Sequence, residues 1–151
     1  HPFRIIATAQ VHAALVSSRI FDALDEAIVP REVIRPDTRF EAAGLSLELG
    51  PVPGKAALYM EGDQPEIGRE TGETVAVWVQ GPSRRLAYVP GCAELTDALL
   101  ARLARMDIIL FDGTVYSDDE MREAGVGAKT GRRMGHMPMA GAGGSLELLA
   151  R

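Results

Sequence analysis

The sequence predicts an α/β (α+β) fold of mixed sheets with outer helices. Three observations carry this: alternating apolar runs at 45–49 and 74–79, a hairpin turn at 80–83, and a strand–helix–strand unit over 85–111. The 151 residues, 46% hydrophobic and 25% charged, fit one domain better than two and exclude a disordered tail.

Residues 4–7 read as a first strand, after which Val11, Leu15, Ile20 and Leu24 recur at helical spacing, so one helix is expected over 11–24. Pro30 and Pro36 bracket a short strand at Val33 and Ile34. Leu45-Ser46-Leu47-Glu48-Leu49 alternates strictly, which predicts a strand with one buried face. Gly50-Pro51-Val52-Pro53-Gly54 then breaks the chain. Residues 57–60 suit another strand, and 61–73 is a polar, glycine-containing loop expected to be exposed. Along 74–79 the valines lie on one side and Ala76 and Trp78 on the other, so both faces are expected to be covered.

Gln80-Gly81-Pro82-Ser83 turns the chain and 84–89 returns as the second hairpin strand. Thr96 suits the N-cap of the next helix, Asp97 its positive end, and Leu95 a staple onto Leu100. Leu95, Leu99, Leu103 and Met106 mark its apolar face, and Asp107 opens the apolar strand 108–111, expected to be buried. A crossover helix of this length joins parallel strands, so Pro90-Gly91-Cys92 and Asp112-Gly113-Thr114 should share one sheet edge, where open α/β sheets place ligands. Ser117-Asp118-Asp119-Glu120 reads as a capping box, 125–135 as a glycine- and base-rich loop leading to His136, and Ser145 as the cap of a last helix running to Arg151.

Sixteen Lys+Arg against 21 Asp+Glu give a net charge of −5, and the pI is about 5.2, so no positive field exists to hold nucleic acid. The single cysteine, Cys92, excludes an internal disulfide and favours a reducing compartment; a cytoplasmic location is expected. No apolar run approaches the roughly 20 residues of a membrane span, so no membrane partner is expected. The chain opens without Met and runs at once into a strand, as a fragment would.

Gly125-Val126-Gly127-Ala128-Lys129-Thr130 invites a phosphate-loop reading, but that pattern needs glycine where Glu123 and Ala128 stand, and the dinucleotide pattern needs one at Thr130. Asp112, at a strand end before glycine, is placed either to orient a histidine, water or metal or simply to cap its own turn. His136 is a loop histidine whose titration a carboxylate would set. Lys129, Arg132 and Arg133 fit either a clamp for a small anion or a solvated charge cluster. Cys92 suits a small buried thiol better than a ligand or nucleophile.

The strings Arg85-Leu86-Ala87-Tyr88-Val89-Pro90-Gly91-Cys92-Ala93, Ile109-Leu110-Phe111-Asp112-Gly113-Thr114, Asp118-Asp119-Glu120-Met121 and Lys129-Thr130-Gly131-Arg132-Arg133-Met134-Gly135-His136-Met137 strongly resemble the pyrroloquinoline quinone (PQQ) biosynthesis protein B family. Val52-Pro53-Gly54-Lys55 and Glu61-Gly62-Asp63 extend the likeness over nearly all of residues 1–151, matching the middle of the family's chain. The resemblance implies part of a metallo-β-lactamase-like αββα sandwich. It also implies that the family's upstream His/Asp cluster, its C-terminal strand histidine and its cysteine-rich zinc site lie outside these residues.

Compared with metallo-β-lactamase hydrolases, Lys55 stands where a metal-binding histidine is expected, and Gly91 and Cys92 stand where a bridging aspartate is expected. A two-zinc site therefore cannot be assembled from these positions. Asp112 and His136 resemble an auxiliary catalytic pair of phosphodiesterase relatives. By resemblance the whole protein would carry iron or zinc, with no complete metal site in this chain unless Cys92 contributes. Its activity would be iron-dependent hydroxylation of the tyrosine part of a peptide-derived PQQ precursor, this chain alone being inactive. Lys55, Lys129, Arg132 and Arg133 would then receive substrate carboxylates. A carrier for PQQ or its precursor is the alternative, a metal-dependent hydrolase a second, and an exposed sheet edge suits a homodimer.

Overall fold

The computed structural model describes residues 3–55 and 67–151. Strand β1 (Ile5–Ala7) leads into helix α1 (Ala9–Ser17), capped by Thr8, whose Oγ1 accepts the Val11 N–H at 3.3 Å. The same hydroxyl donates to the Gly72 carbonyl at 2.8 Å, and Thr8 is fully buried. The helix expected over 11–24 ends early: Ser18 is extended, and Arg19–Ala23 forms a separate 3-10 turn with Ile20 exposed. Ser17 Oγ donates back to the Ala14 carbonyl, the local competition by which serine weakens a helix. Strand β2 (Arg31–Val33) then pairs in parallel with β1.

Strands β3 (Arg39–Ala42) and β4 (Leu45–Pro51) form an antiparallel hairpin across Ala43 and Gly44, both at positive φ, as a two-residue hairpin turn needs. Strand β5 (Gly54–Lys55) pairs with β6 (Ile67–Arg69), so the stretch 61–73 is not loop throughout; the strand expected at 57–60 lies outside the described residues. Strands β7 (Val75–Gln80) and β8 (Arg85–Val89) form the expected hairpin. Helix α2 (Asp97–Leu103) crosses over to β9 (Ile108–Phe111), which pairs in parallel with β8. The resulting mixed five-stranded sheet has the order β3-β4-β7-β8-β9.

Thr96 caps α2 by accepting the Leu99 N–H at 3.2 Å. On one face of the sheet Ala76, Trp78, Ala87 and Val89 join Leu95, Leu99 and Leu103, together with Val52, Cys92 and Met137, in a single buried cluster. The alternation of β4 and β7 is real and both faces are covered in part: Leu49, on the Val77 face, is 7% exposed, while the helix lies on the Trp78 face. Glu48 and Trp78 share the helix-covered face, where Arg102 from α2 lies 4.0 Å over the indole and pairs with Glu48 and Asp37. On the other face Val77, Val79 and Leu86 are half-buried, while Tyr88, Ile108 and Leu110 are about half exposed. Strand 108–111 is therefore covered on one side only.

Two local expectations fail at the last helices. In α3 (Glu120–Glu123) no side chain caps the start; the Glu120 carboxylate accepts the Tyr116 N–H, and Asp118 accepts the Arg132 N–H at 2.8 Å instead. In α4 (Ser145–Leu149) Gly144 is the cap and Ser145 the buried first residue, because the Ser145 N–H donates to the Pro138 carbonyl.

Candidate functional site

Parallel pairing of Tyr88 with Leu110 and of Val89 with Phe111 brings the following residues of both strands to one edge. There Asp112, only 4% exposed, receives four hydrogen bonds. Its Oδ1 accepts the Thr114 N–H at 3.0 Å and the Thr114 hydroxyl at 2.7 Å. Its Oδ2 accepts the Cys92 N–H at 3.2 Å and lies 2.7 Å from Nδ1 of His136. Both readings of Asp112 thus hold at once, one per oxygen: Oδ1 closes its own turn and Oδ2 orients the histidine.

The loop after α3 delivers His136. A 3-10 turn, Arg132–Met134, ends at Gly135 with φ +86°, and a Cβ there would lie 2.7 Å from Cβ of Lys55, so only glycine fits. The His136 N–H donates to the Gly131 carbonyl at 2.9 Å, and the Met137 N–H to the Cys92 carbonyl at 2.7 Å, pinning the loop to the turn after β8. A Cβ on Gly91 would sit 3.7 Å from Cε1 of His136, so glycine leaves the imidazole room at its outer edge.

The hydrogen bond from Asp112 raises the His136 pKa above the ordinary 6.5, outweighing burial and the nearby Lys55 ammonium, which both lower it. Burial pushes the Asp112 carboxyl up, but the hydrogen bonds from His136 and Thr114 prevail and hold it below its usual value. With Nδ1 facing a carboxylate, the neutral ring carries its proton on Nδ1 and presents Nε2 outward as an acceptor; protonated, it presents an N–H donor.

Cys92, Asp112 and His136 are thus brought together, and Lys55 acts electrostatically on His136. Cys92 is fully buried, its thiol donating to the Glu94 carbonyl at 3.0 Å, and burial pushes its pKa up to about 11. Of the basic loop, only Arg132 has a described side-chain contact. Arg132 is exposed and directs Nη2 to the Gly143 carbonyl at 3.5 Å, Arg133 is exposed with its backbone on the Thr130 hydroxyl, and Lys129 is half-buried. Thr114 is the participant that sequence reasoning missed. Its signal was the Asp-Gly-Thr turn, in which the residue two after an aspartate donates to that side chain.

The family model described as "Beta-lactamase superfamily domain" matches residues 1–151. The chain belongs to the beta-lactamase superfamily. Within it, the likeness read from the motifs is to coenzyme PQQ synthesis protein B: 50% identity over 150 residues with the protein of Methylobacterium radiotolerans, covering 99% of this chain and 50% of that one. The Rhizobium meliloti protein is 45% identical over 148 residues. The crystal structure of Zn(2+)-bound PqqB from Methylobacterium extorquens superposes with a TM-score of 0.94 at 46% identity, over 99% of this chain and 50% of that chain. The metallo-beta-lactamase fold protein YhfI from Bacillus subtilis, at 12% identity and a TM-score of 0.58 over 91% of this chain, shares the fold. The chain spans about half the length of the curated relatives it matches.

A metal is thus found in a near relative. Among the described residues no three His, Cys, Asp or Glu side chains are grouped to hold one. Asp112 has its oxygens occupied by four donors, and the buried Cys92 thiol donates to the Glu94 carbonyl. The described residues do not supply a metal site by themselves.

Proposed function

We propose that this chain serves PQQ biosynthesis, as part of a protein that hydroxylates the tyrosine moiety of a peptide-derived precursor in an iron-dependent reaction, one atom of dioxygen entering the ring and the other leaving as water with two electrons from an external reductant and two protons. The observation that carries the reading is the 2.7 Å Asp112–His136 pair at the strand-end edge of the sheet, in a chain 45–50% identical to PQQ synthesis protein B of M. radiotolerans and R. meliloti. Among the described residues no three ligands are grouped to hold the iron alone, and in this reading Asp112, His136 and Lys55 handle protons and carboxylates. His136 Nε2 takes or returns the phenolic proton, with Asp112 stabilising the imidazolium. Lys55, beside His136, receives a precursor carboxylate; Lys129, Arg132 and Arg133 extend positive charge outward along the loop.

The test is oxygen uptake by the whole protein, loaded with iron(II) or with zinc, given a tyrosine-containing precursor peptide and ascorbate as the two-electron reductant. Uptake with iron alone, giving a product heavier by one oxygen atom and slowed at least tenfold by His136→Gln, is the expected result. One observation favours a second reading, a cytoplasmic carrier of PQQ or its precursor: Lys55 and a protonated His136 form a cationic pair, which is all that holding a carboxylate requires. Tight precursor binding without oxygen uptake under either metal would replace hydroxylation by that reading.

A further inference from the structure

We propose that Thr114 is a positioning residue of this site: its hydroxyl holds the Asp112 carboxylate in the rotation at which Oδ2 receives Nδ1–H of His136, leaving Nε2 as the nitrogen offered to substrate. The inference rests on the functional reading of the Asp112–His136 pair and extends it to the group that sets the pair's geometry.

An aspartate carboxylate turns about its Cβ–Cγ bond in a broad, two-fold well, so its backbone alone does not fix which oxygen meets a partner, or at what angle. At Asp112 the two shortest hydrogen bonds come from side chains on opposite oxygens: 2.7 Å from the Thr114 hydroxyl to Oδ1 and 2.7 Å from His136 Nδ1 to Oδ2. The turn itself needs only the Thr114 N–H, which already reaches Oδ1 at 3.0 Å. The hydroxyl is therefore an addition that the turn does not require, and it spans the carboxylate from the side opposite the imidazole. Thr114 is exposed, yet its one polar side-chain atom is turned inward onto a buried acid. The branched Cβ restricts χ1, which keeps it there. Around the imidazole, the charged groups acting on it are Asp112 and Lys55, and Thr114 bears on the first of them.

The test uses the protein with 15N-labelled histidine and reads the His136 ring nitrogens by NMR, assigned with His136→Gln. In the wild type the Nδ1–H tautomer should exceed the Nε2–H form by about tenfold or more, as a charge-assisted bond to Oδ2 demands. In Thr114→Val the two tautomers should approach equal shares and the titration midpoint should drop toward 6.5, with Thr114→Ser restoring both. Thr114 is exposed and its N–H still closes the turn onto Oδ1, so the valine variant keeps the fold. A valine variant with wild-type tautomers and midpoint would overturn the role of Thr114 while leaving the Asp112–His136 pair intact. A wild-type ring carrying its proton on Nε2 would instead overturn the pair itself, and the inference with it.

Discussion

Replacing Asp112 with Asn keeps the shape of the side chain and removes its charge and one acceptor, which makes the energetics of the site measurable. Four donors converge on the wild-type carboxylate. An amide satisfies only the pair that meets its oxygen. If that oxygen stays with Thr114, the amide N–H2 faces the buried Cys92 N–H, which loses its acceptor, and His136 must accept at Nδ1 rather than donate. One unsatisfied buried donor and one lost charge-assisted bond together cost about 2–4 kcal/mol. The pH dependence has a definite sign. The folded-state pKa of Asp112 lies below 3.8, so its contribution is present above that value and is lost as pH falls through the lowered folded pKa. The folded-state pKa of His136 lies above 6.5, so its contribution is complete below 6.5 and is lost as pH rises through the raised one. Both act together between about pH 4 and 6.5. Urea unfolding of wild type and Asp112→Asn across pH 4–9 should show the largest stability difference within that window, shrinking as pH rises through the raised His136 pKa. A difference that is flat, or grows toward alkaline pH, would refute the ion-pair account.

Cys92, buried and with a pKa of about 11, should react with iodoacetamide at pH 8 about two orders of magnitude more slowly than a free thiol; rapid native alkylation would place it in an open site. Gly135→Ala combines a left-handed φ of +86° with a Cβ 2.7 Å from that of Lys55, so it should cost about 2–4 kcal/mol in urea unfolding, against which an unchanged midpoint would count. Dialysed against a weak chelator, this chain should retain well under one equivalent of iron or zinc by metal analysis, because its described residues group no three ligands; stoichiometric retention would reverse that assignment.

What was legible in the sequence is what depends on neighbours along the chain. The crossover from β8 through α2 to β9 follows from local signals, Thr96 as cap and leucines at helical spacing, and with it came the shared edge of Cys92 and Asp112. Illegible were the decisions taken by residues far apart. At the face of β4 and β7 that meets the helix, Arg102 reaches Glu48 and stacks on Trp78, so that a glutamate lies on the helix side and leucines and valines on the other. The pairing of β5 with β6 joins strands of two and three residues, too short for any periodicity to register. The break of the first helix at Ser18 and the missing capping box at 117–120 share one cause. A polar side chain has several acceptors or donors within reach, and the tertiary structure selects among them.

The donor arithmetic at Asp112 bears on what this edge can do. A carboxylate offers about four lone-pair positions, and here four donors occupy them. An acid so filled is neither a nucleophile nor an outward-facing base; its charge acts only through the imidazole it orients. The thiol next to it is directed onto the Glu94 carbonyl and keeps its proton. Reactive capacity is thereby moved to Nε2 of His136, whose pKa is held above the ordinary imidazole value by Asp112, with the Lys55 charge close enough to temper the rise. Asp112 and Thr114 thus act at this edge only through the imidazole that they orient.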